Sequence, residues 1–135
     1  MRNQRILKNN VKIIYPELSY EIVGVLYEVH NQLGRFCREK QYCDAIERML
    51  KSKKLEYQRE KTIRNLENNL TGNIFDFVIA NSIVLEIKAK PVVEKSDYYQ
   101  LKRYLESMGL QLGILVNFRS KYIKPIRILN SKIHS

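Results

Sequence analysis

Two helices are predicted near the start of the chain, because apolar residues recur there three or four positions apart. The first covers residues 16 to about 33, with a proline and a glutamate in its first turn and Gly34 at its end. The second covers residues 39 to about 53. The two apolar stripes are Ile22, Val25, Leu26, Val29 and Leu33 in the first helix and Tyr42, Ala45, Ile46, Met49 and Leu50 in the second.

The rest of the chain is predicted to form strands, with one helix among them. Two strong strands, Asn73 to Ile79 and Ile83 to Lys88, are separated by the hairpin signal Ala80-Asn81-Ser82. The other predicted strands are Leu55 to Ile63, which is weak, Leu112 to Phe118 and Ile123 to Leu129.

The predicted element order is α-α-β-β-β-α-β-β, which suggests a mixed β-sheet flanked by helices and an α/β (α+β) fold class. The third helix is capped by Ser96 or Asp97 and ends at Met108-Gly109. We expect one main domain between two short flanking segments. These are a basic N-terminal arm at 1–15, the domain at 16–130 and a C-terminal tail at 131–135.

The composition is that of an ordinary folded protein and excludes several other classes. The chain has 135 residues, of which 44% are hydrophobic and 28% charged, which suits one domain with a real core. Five Gly, three Pro and two Cys exclude collagen-like, disordered and disulfide-rich classes. No apolar run approaches the roughly 20 residues of a membrane helix, and the N-terminus has no signal-peptide core. We therefore expect a cytoplasmic protein with reduced cysteines and no membrane partner.

The net charge of +10 is concentrated at the two ends of the chain. Residues 1–12 and 119–135 hold nine basic residues and no acid, so the part between them has a net charge of only +1. A basic protein can attract nucleic acid by neutralising its phosphates, but a solvated, solubilising surface fits the same charge count equally well.

Asp76, Glu86 and Lys88 are the polar residues least expected in the two strong strands. Asp76 stands between two phenylalanines, and acids are poor strand formers. Glu86 and Lys88 share one face of their strand, because strand side chains alternate. If Ile79 pairs with Ile83 across a three-residue loop, Asp76 lies opposite Glu86. A two-residue loop would place Asp76 on the other face unless a bulge corrects it.

In the first of these registers, two carboxylates and an ammonium group meet on one patch of the sheet. Like charges directly opposite each other destabilise a sheet. A divalent cation between them removes the repulsion, and hard oxygen ligands favour Mg²⁺ or Mn²⁺ over zinc. The alternative interpretation is structural, a cross-strand salt bridge of Lys88 with Asp76 or Glu86.

Two further residues have both a functional and a structural interpretation. Glu39 lies on the side of the apolar stripe, where a charge is costly unless it is paired or binds a metal. However, a carboxylate is also favoured and hydrated at a helix start. Gln100, one turn before Tyr104, is suited to hydrogen-bond a phosphate or a water. The alternative is that Gln100 is a solvent-exposed residue without a functional role. The cysteines and histidines match no usual zinc spacing, and no phosphate-binding glycine loop is present.

These motifs together resemble a known superfamily and, more specifically, one family. Asp76 followed by Glu86-Ile87-Lys88 resembles the Asp…Glu-x-Lys signature of the PD-(D/E)XK nuclease superfamily, and Gln100-x-x-x-Tyr104 resembles its helix motif. The segment Leu33 to Tyr42 is similar to the one that names the GxxExxY family, and the match extends from about Leu18 to Phe118. Departures from the pattern are Phe36 in place of the first glycine, Arg35 where proline is common, and Phe75 in place of the proline before the aspartate.

The resemblance implies a restriction-endonuclease-like core with a mixed sheet and a site at the strand ends. It implies that Asp76 and Glu86 hold Mg²⁺, for which Mn²⁺ can substitute, with help from the Ile87 carbonyl. Lys88 would orient or activate the attacking water and stabilise charge. Glu39 would be an additional metal ligand, directly or through water.

We therefore predict a metal-dependent nuclease that hydrolyses phosphodiester bonds of nucleic acid, with DNA as the expected substrate, although the sequence itself does not distinguish DNA from RNA. Gln100 would assist near the site. Lys90, Lys102, Arg103 and Tyr104 are the candidate nucleic-acid contacts, although a solvated helix face also accounts for Lys102 and Arg103. A homodimer would suit double-strand cutting, but no feature of the chain demonstrates one. The alternative is a catalytically inactive nucleic-acid-binding or regulatory module with a nuclease-like fold.

Overall fold

All eight predicted elements are present in the computed structural model, which describes residues 15–62 and 73–132, with residues 60–62, 73 and 74 in backbone only. Most of the predicted N-terminal arm and the last three residues of the predicted tail lie outside this description. No helix in the described ranges is long and apolar enough to cross a membrane. The elements are α1 (Pro16–Leu33), α2 (Glu39–Ser52), β1 (Tyr57–Thr62), β2 (Asn73–Ile79), β3 (Ile83–Lys88), α3 (Lys95–Met108), β4 (Leu112–Asn117) and β5 (Ile126–Leu129).

The start of α3 differs from the prediction. Glu94 is the N-cap and Lys95 the first helical residue, so the prediction of Ser96 or Asp97 as the cap is wrong. Asp97 instead occupies the third helical position, and its Oδ2 accepts a hydrogen bond from the Glu94 N–H at 2.8 Å. This contact forms part of a capping box, which satisfies an amide that would otherwise lack a partner at the helix end.

The five strands form one mixed sheet in the order β1-β2-β3-β4-β5. β3 and β4 run parallel and are connected by α3, whereas all other neighbouring strands are antiparallel. Parallel strands end at the same edge of a sheet. Lys88, the last residue of β3, therefore lies beside Asn117, the last residue of β4.

Helices cover both faces of the sheet, α1 and α2 on one face and α3 on the other. Glu86 and Lys88 point towards α3, because they alternate with residues that face α1 and α2. Gly113 in β4 lets α3 come close, since a Cβ there would lie 3.0 Å from Leu101 Cγ. In β3 the residues of the α1–α2 core are Ile83, Leu85 and Ile87, and the residue of the α3 core is Val84.

Candidate active site

The turn between β2 and β3 has the three-residue length that brings the two predicted carboxylates together. Ile79 pairs with Ile83, and the antiparallel ladder keeps this register for two further pairs. The first two loop residues adopt left-handed conformations, with φ of 53° and 51°, which reverses the chain tightly. The Ile79–Ile83 pairing on which the prediction depended is therefore present, and a continuation of this register would place Asp76 opposite Glu86.

Beyond the regular ladder, the side chains of Asp76 and Glu86 join the two strands. Asp76 Oδ2 accepts a hydrogen bond from the Ile87 N–H at 2.6 Å. The Glu86 carboxylate in turn accepts a hydrogen bond from the backbone of Asp76. The two carboxylates are therefore close neighbours, and the charge of Asp76 acts directly on Glu86.

A local twist of β2 explains how Asp76 reaches a backbone amide of β3. Phe75 belongs to the α3 core and Phe77 to the α1–α2 core, although strict alternation would put both on one face. The pairing of β1 with β2 shifts register nearby, between Lys61 and Thr62, and such irregularities increase the twist of a strand. Asp76 consequently lies between the two strands. Its carboxylate accepts the hydrogen bond that a backbone carbonyl of β2 would accept in a regular ladder.

Glu86 is a largely buried carboxyl group whose charge, when it is ionised, is only partly compensated. Its side chain is 13% exposed, and Oε2 lies 3.4 Å from Lys88 Nζ. Oε1 is buried and has no hydrogen-bond partner among the described residues. Burial, reinforced by the charge of Asp76, raises the pKa of Glu86 to about 8 and outweighs the opposing effect of Lys88. A cation at Oε1 would remove much of this electrostatic cost.

Lys88 is held between two carboxylates. Its Nζ lies 3.4 Å from Glu86 Oε2 and 3.7 Å from Asp97 Oδ1. Burial lowers the pKa of this lysine, as expected, but three carboxylates outweigh burial and raise the pKa above its usual value. They are those of Glu86, Asp97 and Glu39, in decreasing order of effect. Lys88 is therefore an ammonium group at neutral pH, suited to donate hydrogen bonds and to stabilise negative charge.

Asp97 is a member of this cluster that the sequence interpretation missed. It is buried, and its Oδ2 lies 2.7 Å from Lys90 Nζ. Burial raises the pKa of Asp97, but hydrogen bonds from Lys90 and Glu94, with the charge of Lys88, outweigh burial and lower it. The sequence does contain a signal, because Asp97 stands four and eight positions before the buried leucines of α3 and so belongs to its buried stripe.

Three other predicted site residues lie around the cluster. Glu39, the first residue of α2, is exposed, and its charge contributes to the raised pKa of Lys88. Gln100 is half-buried and forms a side-chain hydrogen bond with Tyr104. Burial and the charge of Glu86 raise the pKa of Tyr104, which places the Gln100–Tyr104 pair beside Glu86.

The predicted nucleic-acid contacts have different surroundings. Lys90 is ion-paired with Asp97, and Tyr104 lies within electrostatic reach of Glu86. Arg103 is exposed, and its charge acts on Tyr104. Lys102 lines a groove of about 360 Å³ between α3 and β5. The structure thus brings Lys90 and Tyr104 to the cluster, whereas Lys102 faces a groove of its own.

The oxygen atoms of the cluster are suited to a hard divalent cation. Asp76 and Glu86 supply two neighbouring carboxylates, and one buried oxygen of Glu86 lacks a partner in the described parts of the chain. Within the same parts, no three His, Cys, Asp or Glu side chains are arranged to hold a metal ion together. Mg²⁺ is usually bound by one or two carboxylates and completes its octahedron with water and phosphate oxygens. Two protein carboxylates therefore fit this ion.

Comparison with known proteins yields a match that covers most of the chain. Residues 16–128 match the family model of the PD-(D/E)XK nuclease superfamily, a range that contains every candidate site residue. Members of that superfamily are generally nucleases and typically use divalent metal ions. The mixed five-stranded sheet with helices on both faces is the restriction-endonuclease-like architecture that was predicted. No curated protein and no solved structure has significant similarity to the chain.

Proposed function

Because this chain belongs to the PD-(D/E)XK nuclease superfamily, we propose that it is a metal-dependent nuclease that hydrolyses phosphodiester bonds of DNA. The observation that carries the proposal is the buried Oε1 of Glu86, which lacks a hydrogen-bond partner in the described ranges and lies next to a second carboxylate. Buried polar atoms are normally satisfied in a purely structural ion pair. An exception at this position supports a site that is completed by a ligand.

Asp76 and Glu86 would hold Mg²⁺, with the Ile87 carbonyl in a supporting position, and Mn²⁺ would substitute. When bound, the ion neutralises phosphate oxygens and lowers the pKa of a water from about 16 towards neutrality. Glu86 must lose its proton to act as a ligand, which its raised pKa makes costly in the absence of a cation. The Ile87–Asp76 hydrogen bond orients the aspartate carboxylate before the ion arrives.

Lys88 would stabilise the negative charge that develops on the phosphate and orient the attacking water. Its raised pKa favours these roles over that of a general base, which would need a neutral amine. Asp97 is the second carboxylate beside Lys88 and would help to hold its ammonium group in place. Because Asp97 also binds Lys90, the two lysines are held side by side at the end of β3.

The remaining predicted residues would act around this centre. Glu39 would bind the ion through water, since it is exposed and close enough for its charge to influence Lys88. Gln100 would assist at the site through its bond with Tyr104. Lys90, Tyr104 and Arg103 are the nearer candidates for contact with the DNA backbone, and Lys102 a more distant one. Homodimerisation and a cytoplasmic location remain predictions.

A catalytically inactive binding or regulatory module is the second candidate. Two observations support it. Lys88 already forms ion pairs with two carboxylates, and in the described parts of the chain no third carboxylate completes the metal site. Such a module would bind nucleic acid without turnover.

The two candidates are separated by incubating labelled single-stranded, duplex and branched DNA with the protein, with Mg²⁺, Mn²⁺ or EDTA. The nuclease proposal expects shorter products with either metal and none with EDTA. Binding of the same DNA without any products, under all metal conditions, would reject the nuclease proposal and favour the inactive module.

A further inference from the structure

An exposed aromatic ring lies within cation–π distance of two arginines, near the strand end that carries Lys88. Phe36, in the α1–α2 connection, is 74% exposed. The guanidinium carbon of Arg35 lies 4.7 Å from the centre of its ring, and that of Arg119 lies 5.8 Å away. We refer to Arg35, Phe36 and Arg119 as the arginine platform. Because three quarters of Phe36 is exposed, the two guanidinium groups leave much of the ring open to a ligand.

Hydrogen bonds hold both arginines of the platform in place. Arg35 Nε donates to the Arg119 carbonyl at 2.9 Å. Arg119 Nη2 donates to the Ala89 carbonyl at 3.1 Å, and the buried Nε of Arg119 has no hydrogen-bond partner among the described residues. A guanidinium has five N–H groups, so both side chains can still donate to an anion. The platform therefore combines an open ring with two positioned cations.

The platform adjoins the strand end that carries Lys88. Ala89, which binds Arg119, directly follows Lys88 in the chain. The Phe118 N–H donates to the Lys88 carbonyl at 2.8 Å. This bond ties Phe118, the residue before Arg119, to the backbone of Lys88. On the other side, Phe36 lies three positions before Glu39, whose charge acts on Lys88. A ligand on the ring would thus lie near the strand end that carries Lys88.

We propose that the arginine platform stacks an unpaired base of single-stranded DNA and thereby places the neighbouring phosphates at the candidate active site. Aromatic rings bind the faces of unpaired bases, and arginines beside them bind the flanking phosphates. In a duplex the base faces are already stacked on one another, so the platform selects single-stranded or locally unpaired DNA. This inference rests on the proposed function, because it names the substrate form of the same site.

The chain contains a matched control for this surface. Tyr20 in α1 is 81% exposed, as open as Phe36, but it lies on a surface shared with Glu17 and Glu21. The acids around Tyr20 repel phosphates. Phe36 therefore differs from Tyr20 in the two cations beside it and not in its exposure.

Fluorescence anisotropy with a labelled oligothymidylate tests the inference in EDTA, where binding is measured without cleavage. Phe36→Ala should weaken binding by roughly 5- to 100-fold, the range of one base–aromatic stack. Phe36→Trp should bind at least as tightly as the wild type, and Tyr20→Ala should stay within about twofold of it. The same strand annealed into a duplex should show less than about a threefold effect of Phe36→Ala.

Three results would overturn the inference: no binding of the strand by the wild type, equal binding by Phe36→Ala, or equal losses for the single strand and the duplex. Failure of the proposed function has a different signature. Binding that depends on Phe36, without cleavage in Mg²⁺ or Mn²⁺, keeps the platform and rejects the nuclease. Cleavage that Phe36→Ala leaves unchanged, together with unchanged binding, rejects the platform and keeps the nuclease.

Discussion

Two clusters of acids and cations in this molecule use the same kinds of residue and differ in how completely the oxygens of their central glutamate are paired. One joins α2 to β1, and the other lies at the adjoining ends of β2 and β3 under α3. The α2–β1 cluster comprises Asp44, Glu47, Tyr57 and Arg59, and the site cluster comprises Asp76, Glu86, Lys88 and Asp97.

In the α2–β1 cluster, Glu47 has a partner for each oxygen. Oε2 accepts a hydrogen bond from the Tyr57 hydroxyl at 2.6 Å, and Oε1 accepts one from Arg59 Nη1 at 2.7 Å. Both bonds lower the pKa of Glu47, and the bond from Tyr57 has the larger effect. Burial and the bond to Glu47 raise the pKa of Tyr57 to about 12. Both oxygens of Glu47 are therefore satisfied within the protein, as expected of a structural ion pair.

In the site cluster, by contrast, Glu86 is more deeply buried than Glu47, and its partners leave one of its two oxygens unsatisfied. Its distance to Lys88 is 3.4 Å, and one of its oxygens has no partner in the described ranges. The pKa of Glu86 therefore moves upward, whereas that of Glu47 moves downward. Such an arrangement reduces stability, and proteins retain such costs mainly where function requires them. The comparison distinguishes a glutamate whose two oxygens are satisfied by the protein, Glu47, from one that a ligand would complete, Glu86.

The largest expected effect is on catalysis. Lys88→Ala should reduce DNA cleavage by at least about 10²-fold, because it removes the cation that stabilises the developing charge. Cleavage rates in Mg²⁺ measure the effect, and circular dichroism checks that the variant is folded. Lys40→Ala is the matched control, since Lys40 pairs with Asp44 of the other cluster at 3.2 Å and is exposed. Turnover by Lys88→Ala at the wild-type rate would exclude the lysine from the mechanism.

The next largest expected effect is on metal affinity, which a substitution in the site cluster should change and one in the α2–β1 cluster should not. Asp76→Ala should weaken Mn²⁺ binding by at least about 10-fold, because one of two carboxylate ligands is lost. Titration calorimetry measures this, with Asp44→Ala as a carboxylate control from the α2–β1 cluster. Equal Mn²⁺ affinity in Asp76→Ala and the wild type would refute the proposed metal site.

Local patterns were sufficient to predict much of this arrangement. Alternation along β3 was enough to put Glu86 and Lys88 on one face, and of the two loop lengths considered, the three-residue one, which the structure has, brings Asp76 opposite Glu86. The helices followed from their apolar stripes in the same way. These features depend on residues near one another in the chain, so one sequence contains the information.

Contacts that depend on tertiary structure could not be predicted in this way. Asp97 reaches Lys88 and Lys90 only because α3 crosses back over the sheet between two parallel strands, and Gly113 allows its close approach. The direction of the pKa shift of Lys88 depends partly on that aspartate, so it too required the structure. The pairing of Phe36 with Arg119 likewise joins segments far apart in sequence.

Glu86→Gln should stabilise the protein while removing its metal binding. An acid whose pKa is raised from 4.5 to about 8 by folding costs stability as the pH rises between those values. At about 1.4 kcal/mol per pKa unit, the variant should gain up to roughly 4 kcal/mol over the wild type at pH 8, and the gain should vanish near pH 4. Urea unfolding at a series of pH values measures it. A variant less stable than the wild type at pH 8 would contradict the account of Glu86.

The smallest effect has the opposite sign and lies in the other cluster. Glu47→Gln should destabilise the protein by about 1 kcal/mol at neutral pH, because it weakens charged hydrogen bonds to Tyr57 and Arg59. The pKa of Glu47 is lowered in the folded state, so its stabilisation is present above pH 4.5 and is lost as the pH falls. In the same unfolding series, the wild type should therefore be more stable than Glu47→Gln at neutral pH and equally stable in acid. For Glu86→Gln the order is reversed, because the variant should be more stable than the wild type above acid pH. If both variants shifted in the same direction at neutral pH, pairing would not be what separates the two clusters.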